Sequence, residues 1–474
     1  MSKNENDSVL KAGIGYTIGN YLVKGLSFFS IPIFARLLST NDYGIYNTFL
    51  AYEGILFILL GVAIHGSYKK AKYEFGCKFE EFVSSTMVLL IVNLLVFIFG
   101  ISILYHKIRT FLSFNFAELI LLVLFSFSTA VITCYNSYVS LSYDYKTFIK
   151  ISVINAIGNL SLSIVFIIIF KNAKYLGRIV GTVVPSLIIA LYIIRKQYRK
   201  IKPKIIKKYL LWGVKYSLPL VPHGLSQIVL SEFDRIMIYT MIGSSASGIY
   251  SFAFNIFSII NVTATSLSQV WEPWFFEQMH SQNYSEIKKK SSYYITGMCV
   301  FSVMIMLISP EMIKLLGTSE YYEAVYCVVP IIGGGFFAFL YTLPVMVEYF
   351  HSQTKYIAIG TMGAALINIL LNYLGIKQFG YIAAAYTTLI SYILYFAFHY
   401  CLAKIIQKKN IFSNSVIIIV SVSILLCIFL SVSFVEKPLI RWVIAILILF
   451  LMVFIEERNI GLLKRRIKLW MNCH

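Results

Sequence analysis

Residues 83–105 read VSSTMVLLIVNLLVFIFGISILY, 23 consecutive positions without an Asp, Glu, Lys or Arg. As an α-helix rising 1.5 Å per residue, the stretch is about 34 Å long, enough to cross a hydrocarbon layer of about 30 Å. A helix that is apolar all round has no face to offer water. The segment predicts a transmembrane helix.

Similar runs lie at 13–35, 43–65, 117–140, 149–170 and 176–194, then at 210–231, 247–270, 293–309, 324–347, 357–375, 380–401, 414–434 and 439–455. The sequence therefore predicts an all-α integral membrane protein of about fourteen spans. Composition agrees: 58% of the 474 residues are hydrophobic and 13% charged, with a mean hydropathy of +0.77. Soluble domains carry about 25% charged residues. The seventh run is interrupted by Pro219 and Pro222, which a membrane helix tolerates where neighbours or a cavity satisfy the freed carbonyls.

The formal charge of +20 does not point to nucleic acid, because the basic residues cluster in short loops between apolar runs. One side, counting both termini and the even-numbered loops, holds 28 of the 41 Lys and Arg, and the odd-numbered loops hold 11. The richest loop carries Arg195, Lys196, Arg199, Lys200, Lys202, Lys204, Lys207 and Lys208. By the positive-inside rule that side is cytoplasmic, with both termini inside. The first run is too long for a cleavable signal and is followed by further spans. The seven cysteines form no CxxC pair and read as small buried apolar residues.

The basic loop also divides the chain. Residues 1–194 form an N-terminal lobe of six helices, 195–209 a cytoplasmic linker, 210–401 a second six-helix lobe, and 402–474 two further helices and a basic tail. An offset of 204 places Lys11 on Lys215 and Gly44-Ile45-Tyr46 on Gly248-Ile249-Tyr250. Six spans separate the copies, so both have the same orientation, a parallel repeat of the kind that frames a cavity between rocking lobes. Gly177, Gly181 and Gly333-Gly334-Gly335 mark close helix approaches.

Ionisable groups at bilayer depth cost about 2.5–3.5 kcal/mol each on insertion scales, so they face a cavity or a partner. Lys24, Lys215 and His223 are candidate cavity residues for an anionic head group. Glu53 is a candidate proton or sodium coupling site. The alternatives are a Lys24–Glu53 pair across neighbouring helices, or a Lys24 that snorkels. Arg36 and Asp42 end the first hairpin on the outer side, and Asp234 and Arg235 end its counterpart beyond Glu232, so these four are candidate gate residues or solvated loop ends. Glu348 closes the tenth span. No metal site, HExxH, GxSxG or Walker A pattern is present, and no hydrophilic domain offers direct ATP drive. The odd loops leave little room for a membrane polymerase or ligase, so the sequence does not read as an enzyme.

Three segments carry a family resemblance. Ile31-Pro32-Ile33-Phe34-Ala35-Arg36-Leu37-Leu38-Ser39-Thr40-Asn41-Asp42-Tyr43-Gly44-Ile45-Tyr46 is similar to the opening hairpin of the Wzx-type oligosaccharide flippases. These are the polysaccharide transporters of the multidrug/oligosaccharidyl-lipid/polysaccharide exporter superfamily. Tyr216-Ser217-Leu218-Pro219-Leu220-Val221-Pro222-His223, with Asp234-Arg235, resembles their seventh helix. Asn368-Ile369-Leu370-Leu371-Asn372 and Gly380-Tyr381-Ile382-Ala383-Ala384-Ala385-Tyr386-Thr387 resemble the eleventh and the start of the twelfth, although Lys377-Gln378-Phe379 replaces the usual proline before that glycine.

The resemblance implies a flippase that moves an undecaprenyl-pyrophosphate-linked oligosaccharide, for capsule, O-antigen or exopolysaccharide, from the inner to the outer leaflet of a bacterial cell membrane by alternating access. It implies no cofactor beyond a coupling proton or sodium ion. The implied partners are the lipid-linked oligosaccharide, membrane lipid, and the polysaccharide polymerase and chain-length machinery. By analogy the last two helices shape a groove for the lipid tail. The competing readings are a flippase for another lipid-linked glycan precursor, a cation-coupled multidrug exporter and, third, a membrane polymerase.

Overall fold

Pro219 breaks the seventh run and sets the helix boundaries around it. The computed structural model describes residues 3–448, and every regular element among them is helical. The first half holds α1 (Lys3–Leu37), α2 (Thr40–Gly61), the short α3 (Tyr68–Phe75), α4 (Phe79–Leu112), α5 (Phe116–Ser140), α6 (Tyr145–Ile169) and α7 (Lys174–Lys200). The second holds α8 (Lys207–Ser217), α9 (Leu220–Met241), α10 (Ser244–His280), α11 (Tyr284–Leu316), α12 (Val325–Leu340), α13 (Thr342–Phe350), α14 (Thr354–Phe379), α15 (Ile382–Gln407) and α16 (Asn414–Ser433). A final apolar helix, α17, spans Pro438–Ile448. Eleven of the described helices are long and apolar enough to cross a membrane, and this is a multi-pass membrane protein. The remainder of the fourteenth expected span, the basic tail with Cys473, and the Lys11 side chain lie outside the described residues.

The expected span 210–231 becomes two helices. Proline has no N–H to continue a helix, and the chain stops at Ser217 and restarts after Pro219, which caps α9. The second of the two, α9, runs on to Met241. Glu232, Asp234 and Arg235 therefore lie well inside α9, and Asp234 and Arg235 are buried there. This corrects the expectation that they end a hairpin. The basic loop is also more ordered than expected, since α7 continues through Lys200 and α8 begins at Lys207.

The helices face lipid with apolar stripes. On α4, Val92, Leu95, Val96, Phe99 and Ile103 are exposed at the three- and four-residue spacing of one helix face. Acyl chains are as apolar as these side chains, so helix association in a bilayer rests on close packing and internal hydrogen bonds. The predicted glycines supply that packing. A Cβ on Gly181 would lie 2.3 Å from Ser163 Cα, and one on Gly177 would lie 2.6 Å from the Phe166 carbonyl oxygen, so α7 seats directly on the α6 backbone. On α12 a Cβ on Gly335 would strike the Phe257 ring at 2.1 Å.

Two large buried clusters result, beside a small third one of Leu230, Ala364, Ala365 and Tyr395. One is built from residues between Tyr46 and Tyr209. The other is built mainly from residues beyond Met237, but takes in Ile31, Phe34, Ala35, Leu38 and Tyr43. The end of α1 and the start of α2 thus pack with the second half of the chain.

Candidate functional site

The α1–α2 turn is where the halves meet, and the contacts there are specific. Arg36 Nη2 donates to the Leu315 carbonyl at 2.8 Å, and the Thr40 N–H donates to Glu320 Oε2 at 3.3 Å. Asn255 Nδ2 donates to Tyr43 Oη at 2.6 Å, and the Thr48 and Ser247 hydroxyls share a bond at 3.1 Å. Ser244 donates to Asn41. Asp42 does not pair with Arg36. It accepts from the Ser39 hydroxyl at 2.7 Å, at the capped start of α2. Arg36 instead serves the last turn of α11, where an unpaired carbonyl and the helix dipole both favour a cation. These bonds seal this end of the molecule.

Beneath the seal lie polar cavities. The first, about 320 Å³, is enclosed by α1, α2, α5, α6 and α7 and closed by Asn255 of α10; Ser27, Ser30, Tyr43, Asn47, Asn159 and Thr182 supply its polar atoms. Arg178 projects into it and is 8% exposed. Its Nη1 donates to Asn159 Oδ1 at 2.6 Å and to Ser163 Oγ at 2.5 Å. The guanidinium lies 3.7 Å from the centre of the Phe34 ring and 4.5 Å from that of Tyr46.

Arg178 is one of the 11 basic residues assigned to the odd-numbered loops, since it opens the sixth apolar run just after Lys171 and Lys174. The readable signal was the pair of glycines around it. Gly177 and Gly181 place that face of α7 against α6, so the arginine between them points into protein.

The second cavity, about 380 Å³, lies between α9, α10 and α12 and is lined by Gln227, Ser231, Glu232, Asn261, Thr265 and Thr388 among others. Lys24 Nζ donates to Thr265 Oγ1 at 3.5 Å, which places this exposed cation at the cavity's α10 wall. A third cavity of about 200 Å³ shares Gln227 and Tyr341 with it and adds His223, Glu272, Tyr349 and Tyr395. Lys215 lies exposed on α8 and lines none of the three. Of the three candidate cavity residues only His223 lines a cavity; Lys24 touches the second one through Thr265 without lining it, and Lys215 does neither.

Glu53 does not pair with Lys24. Its carboxylate hydrogen-bonds Thr129 and faces Glu232, and its Oε1 has no partner. Glu232 pairs with Arg235, whose guanidinium stacks 4.5 Å from the Phe254 ring centre. Asp234 anchors a separate buried network. Tyr250 Oη and Thr388 Oγ1 each donate to its Oδ2 at 2.6 Å, and Asn372 Nδ2 donates to Oδ1 at 2.5 Å. Asn372 also donates to Asn368 Oδ1 at 3.1 Å. Charge-assisted bonds of this kind are roughly twice as strong as neutral ones, so Asp234 ties α9, α10, α14 and α15 together.

A second buried pair, Glu348 Oε1 and His399 Nδ1, meets at 2.6 Å with both side chains fully buried. Glu348 Oε2 and His399 Nε2 have no partner. Sequence reasoning placed Glu348 at the end of a span and had no spacing rule to bring in a histidine 51 residues away. Among the described residues no group of three His, Cys, Asp or Glu side chains could hold a metal.

Farther out, α11, α16 and α17 enclose an apolar groove of about 500 Å³ lined by Cys299, Val300, Val303, Ile419, Val420 and Ile444 among others.

Comparison with known proteins places this architecture. Residues 9–279 match the family model described as polysaccharide biosynthesis protein. An uncharacterized membrane protein of Haemophilus influenzae is 20% identical over 370 residues, covering 76% of this chain and 88% of that protein. The lipid II flippase MurJ in an inward closed conformation superposes with a TM-score of 0.73 at 16% identity, over 94% of this chain and 99% of MurJ. An inward-facing multidrug resistance MATE family transporter of the MOP superfamily superposes with a TM-score of 0.65 at 12% identity, over 84% of this chain and 99% of that one. The fold is that of these transporters, and, with a match over more than half its length, the chain belongs to the polysaccharide biosynthesis protein family.

Proposed function

We propose that this protein is a flippase that carries an undecaprenyl-pyrophosphate-linked oligosaccharide from the inner to the outer leaflet of a bacterial cell membrane. One observation carries the reading: a chain of the polysaccharide biosynthesis family holds polar cavities between its long apolar helices beneath a sealed end, and an apolar groove beside them. A sugar–pyrophosphate head cannot cross hydrocarbon unaided, because stripping water from its charges and hydroxyls is prohibitive. The cavities supply replacement hydrogen bonds, and the groove between α11, α16 and α17 offers the polyprenyl tail a place in the bilayer.

In this reading residues 1–194 and 210–401 are two lobes that rock about the 195–209 linker, with both termini in the cytoplasm and residues 402–474 shaping the tail groove. The seal at the α1–α2 turn is the outer gate, with Arg36 as its cross-strut. Lys24 and His223 meet the head group. Glu53 is the coupling carboxylate, for a proton or a sodium ion. The polysaccharide polymerase and the chain-length machinery receive the delivered unit. No bond is made or broken.

The test is deletion of the gene followed by analysis of lipid-linked and surface glycan. The expected result is loss of surface glycan, with complete repeat units held in the inner leaflet until the gene is restored. Complete units in the outer leaflet left unpolymerised would indicate a polymerase. Unchanged glycan with altered drug susceptibility would indicate a multidrug exporter.

A further inference from the structure

We propose that the cavity around Arg178 is an oxyanion subsite, taking a carboxylate or phosphate group of the transported head group just beneath the outer gate. The proposal rests on the flippase reading for the identity of its ligand, but its chemistry stands on the cavity itself. Arg178, in the second turn of α7, carries a full positive charge and is 8% exposed. Its partners are neutral: Asn159 and Ser163 accept from Nη1, and Phe34 and Tyr46 stack on the guanidinium. Among the described residues no acidic side chain lines the cavity, and Arg178 Nε is buried without a hydrogen-bond partner.

A buried charge is ordinarily paired, because an unpaired one forfeits its hydration. Stacking on aromatic faces recovers part of that loss and leaves the net charge in place. The guanidinium is a planar fork of donors matched to carboxylate and phosphate oxygens. Here Nη1 is held by Asn159 and Ser163 and Nε is buried without a partner, while Nη2, which makes no hydrogen bond among the described residues, remains to bind. The surrounding 320 Å³ carries hydroxyl and amide groups from Ser27, Ser30, Tyr43 and Asn47, suited to sugar hydroxyls.

The placement gives the subsite a role. Asn255 of α10 closes the cavity and donates to Tyr43. An anion on Arg178 therefore sits against the same helices, α2 and α10, that form the seal. It occupies the last position a head group reaches before outward release.

The experiment measures thermal unfolding of the full-length protein in detergent with three probes: glucuronate, inorganic pyrophosphate and, as a neutral control, glucose. The expected result is a saturable rise in Tm with at least one anion and none with glucose. Arg178→Gln weakens the apparent affinity at least about tenfold, the scale of one hydrogen bond to a charged group, and Arg178→Lys retains part of it. A response to glucuronate alone assigns the site to an acidic sugar, and a response to pyrophosphate assigns it to the carrier's phosphates.

Ser30→Asp places an internal counter-ion in the cavity without removing the arginine, and also abolishes the response, so the test survives if Arg178→Gln misfolds. No anion response in the wild type, or one that persists unchanged in both variants, overturns the proposal. An anion response in a protein whose gene deletion leaves surface glycan intact would keep the subsite and remove the flippase reading instead.

Discussion

Gly44 on α2 and Gly248 on α10 lie against each other where the two helices cross: a Cβ on Gly44 would fall 1.8 Å from the Ser244 carbonyl oxygen and 2.8 Å from Gly248 N, and one on Gly248 would fall 2.0 Å from the Thr40 carbonyl oxygen. These are the two glycines that the 204-residue offset superimposes. The repeat is therefore also a contact, with each copy's second helix seated on the other's backbone. Because the clashing atoms are backbone, no rotamer change relieves them. Gly44→Ala and Gly248→Ala are expected to force α2 and α10 apart and unseal the outer gate. The measurement is labelling of a cysteine at Thr48 by an impermeant reagent, which should rise several-fold. Gly25→Ala and Gly100→Ala, where an added Cβ meets nothing within 4 Å, should leave labelling unchanged.

Asp234 satisfies three donors from three helices. Asp234→Ala leaves Tyr250, Asn372 and Thr388 without their acceptor in a buried site, where each unsatisfied group costs about 1–3 kcal/mol. A loss of at least about 3 kcal/mol of stability is expected, read as a lowered Tm in detergent. A variant that unfolds with the wild type would show that the network is dispensable.

Glu348 and His399 test a different principle. Removing either partner strands the other's polar atoms in a fully buried place, whereas removing both leaves only a cavity. Glu348→Ala and His399→Ala are each expected to lower Tm, with the double variant losing clearly less than their sum. Strict additivity would show that the pair does not act as a unit.

Glu53 has a carboxylate oxygen without a partner and faces Glu232. Glu53→Gln keeps the shape and an acceptor for Thr129 but removes the charge. If Glu53 couples transport to an ion, the variant should fold normally, and its transport should no longer respond to an imposed proton or sodium gradient. A response equal to that of the wild type would move the coupling function elsewhere.

The apolar groove yields a further functional test. Val303→Trp and Val420→Trp, on facing helices of the groove, should reduce transport of a long-chain lipid-linked substrate by about tenfold or more. A short-chain analogue should be affected far less.

Much of this fold was legible because a bilayer constrains the backbone so strongly. A 23-residue uncharged run such as 83–105 has to be a helix. The glycine pairs were legible as close approaches because small residues are the means by which membrane helices touch. Helix ends were less legible. α10 runs to His280 and α11 starts at Tyr284, well beyond their apolar segments, because a helix continues into water as readily as it crosses lipid. Pro219 was visible, but not that the chain would restart and carry Asp234 and Arg235 into the interior. Of the candidate cavity residues, His223 lines a cavity, Lys24 only touches a lining residue, and Lys215 does neither. Depth along a helix can be read from sequence, but the direction a side chain faces depends on which helices pack beside it. Arg178 shows the same gap from the other side, since its position suggested solvent and its glycine neighbours placed it in protein.

The most direct measurement of the central claim is reconstitution of the purified protein into liposomes containing a fluorescent undecaprenyl-pyrophosphate oligosaccharide, with an impermeant quencher reporting its leaflet. The account predicts that the protected fraction equilibrates between leaflets within minutes in wild-type vesicles, and stays fixed in protein-free vesicles and in those holding Gly44→Val. A protected fraction that stays fixed with wild-type protein, whatever the imposed ion gradient, would contradict it.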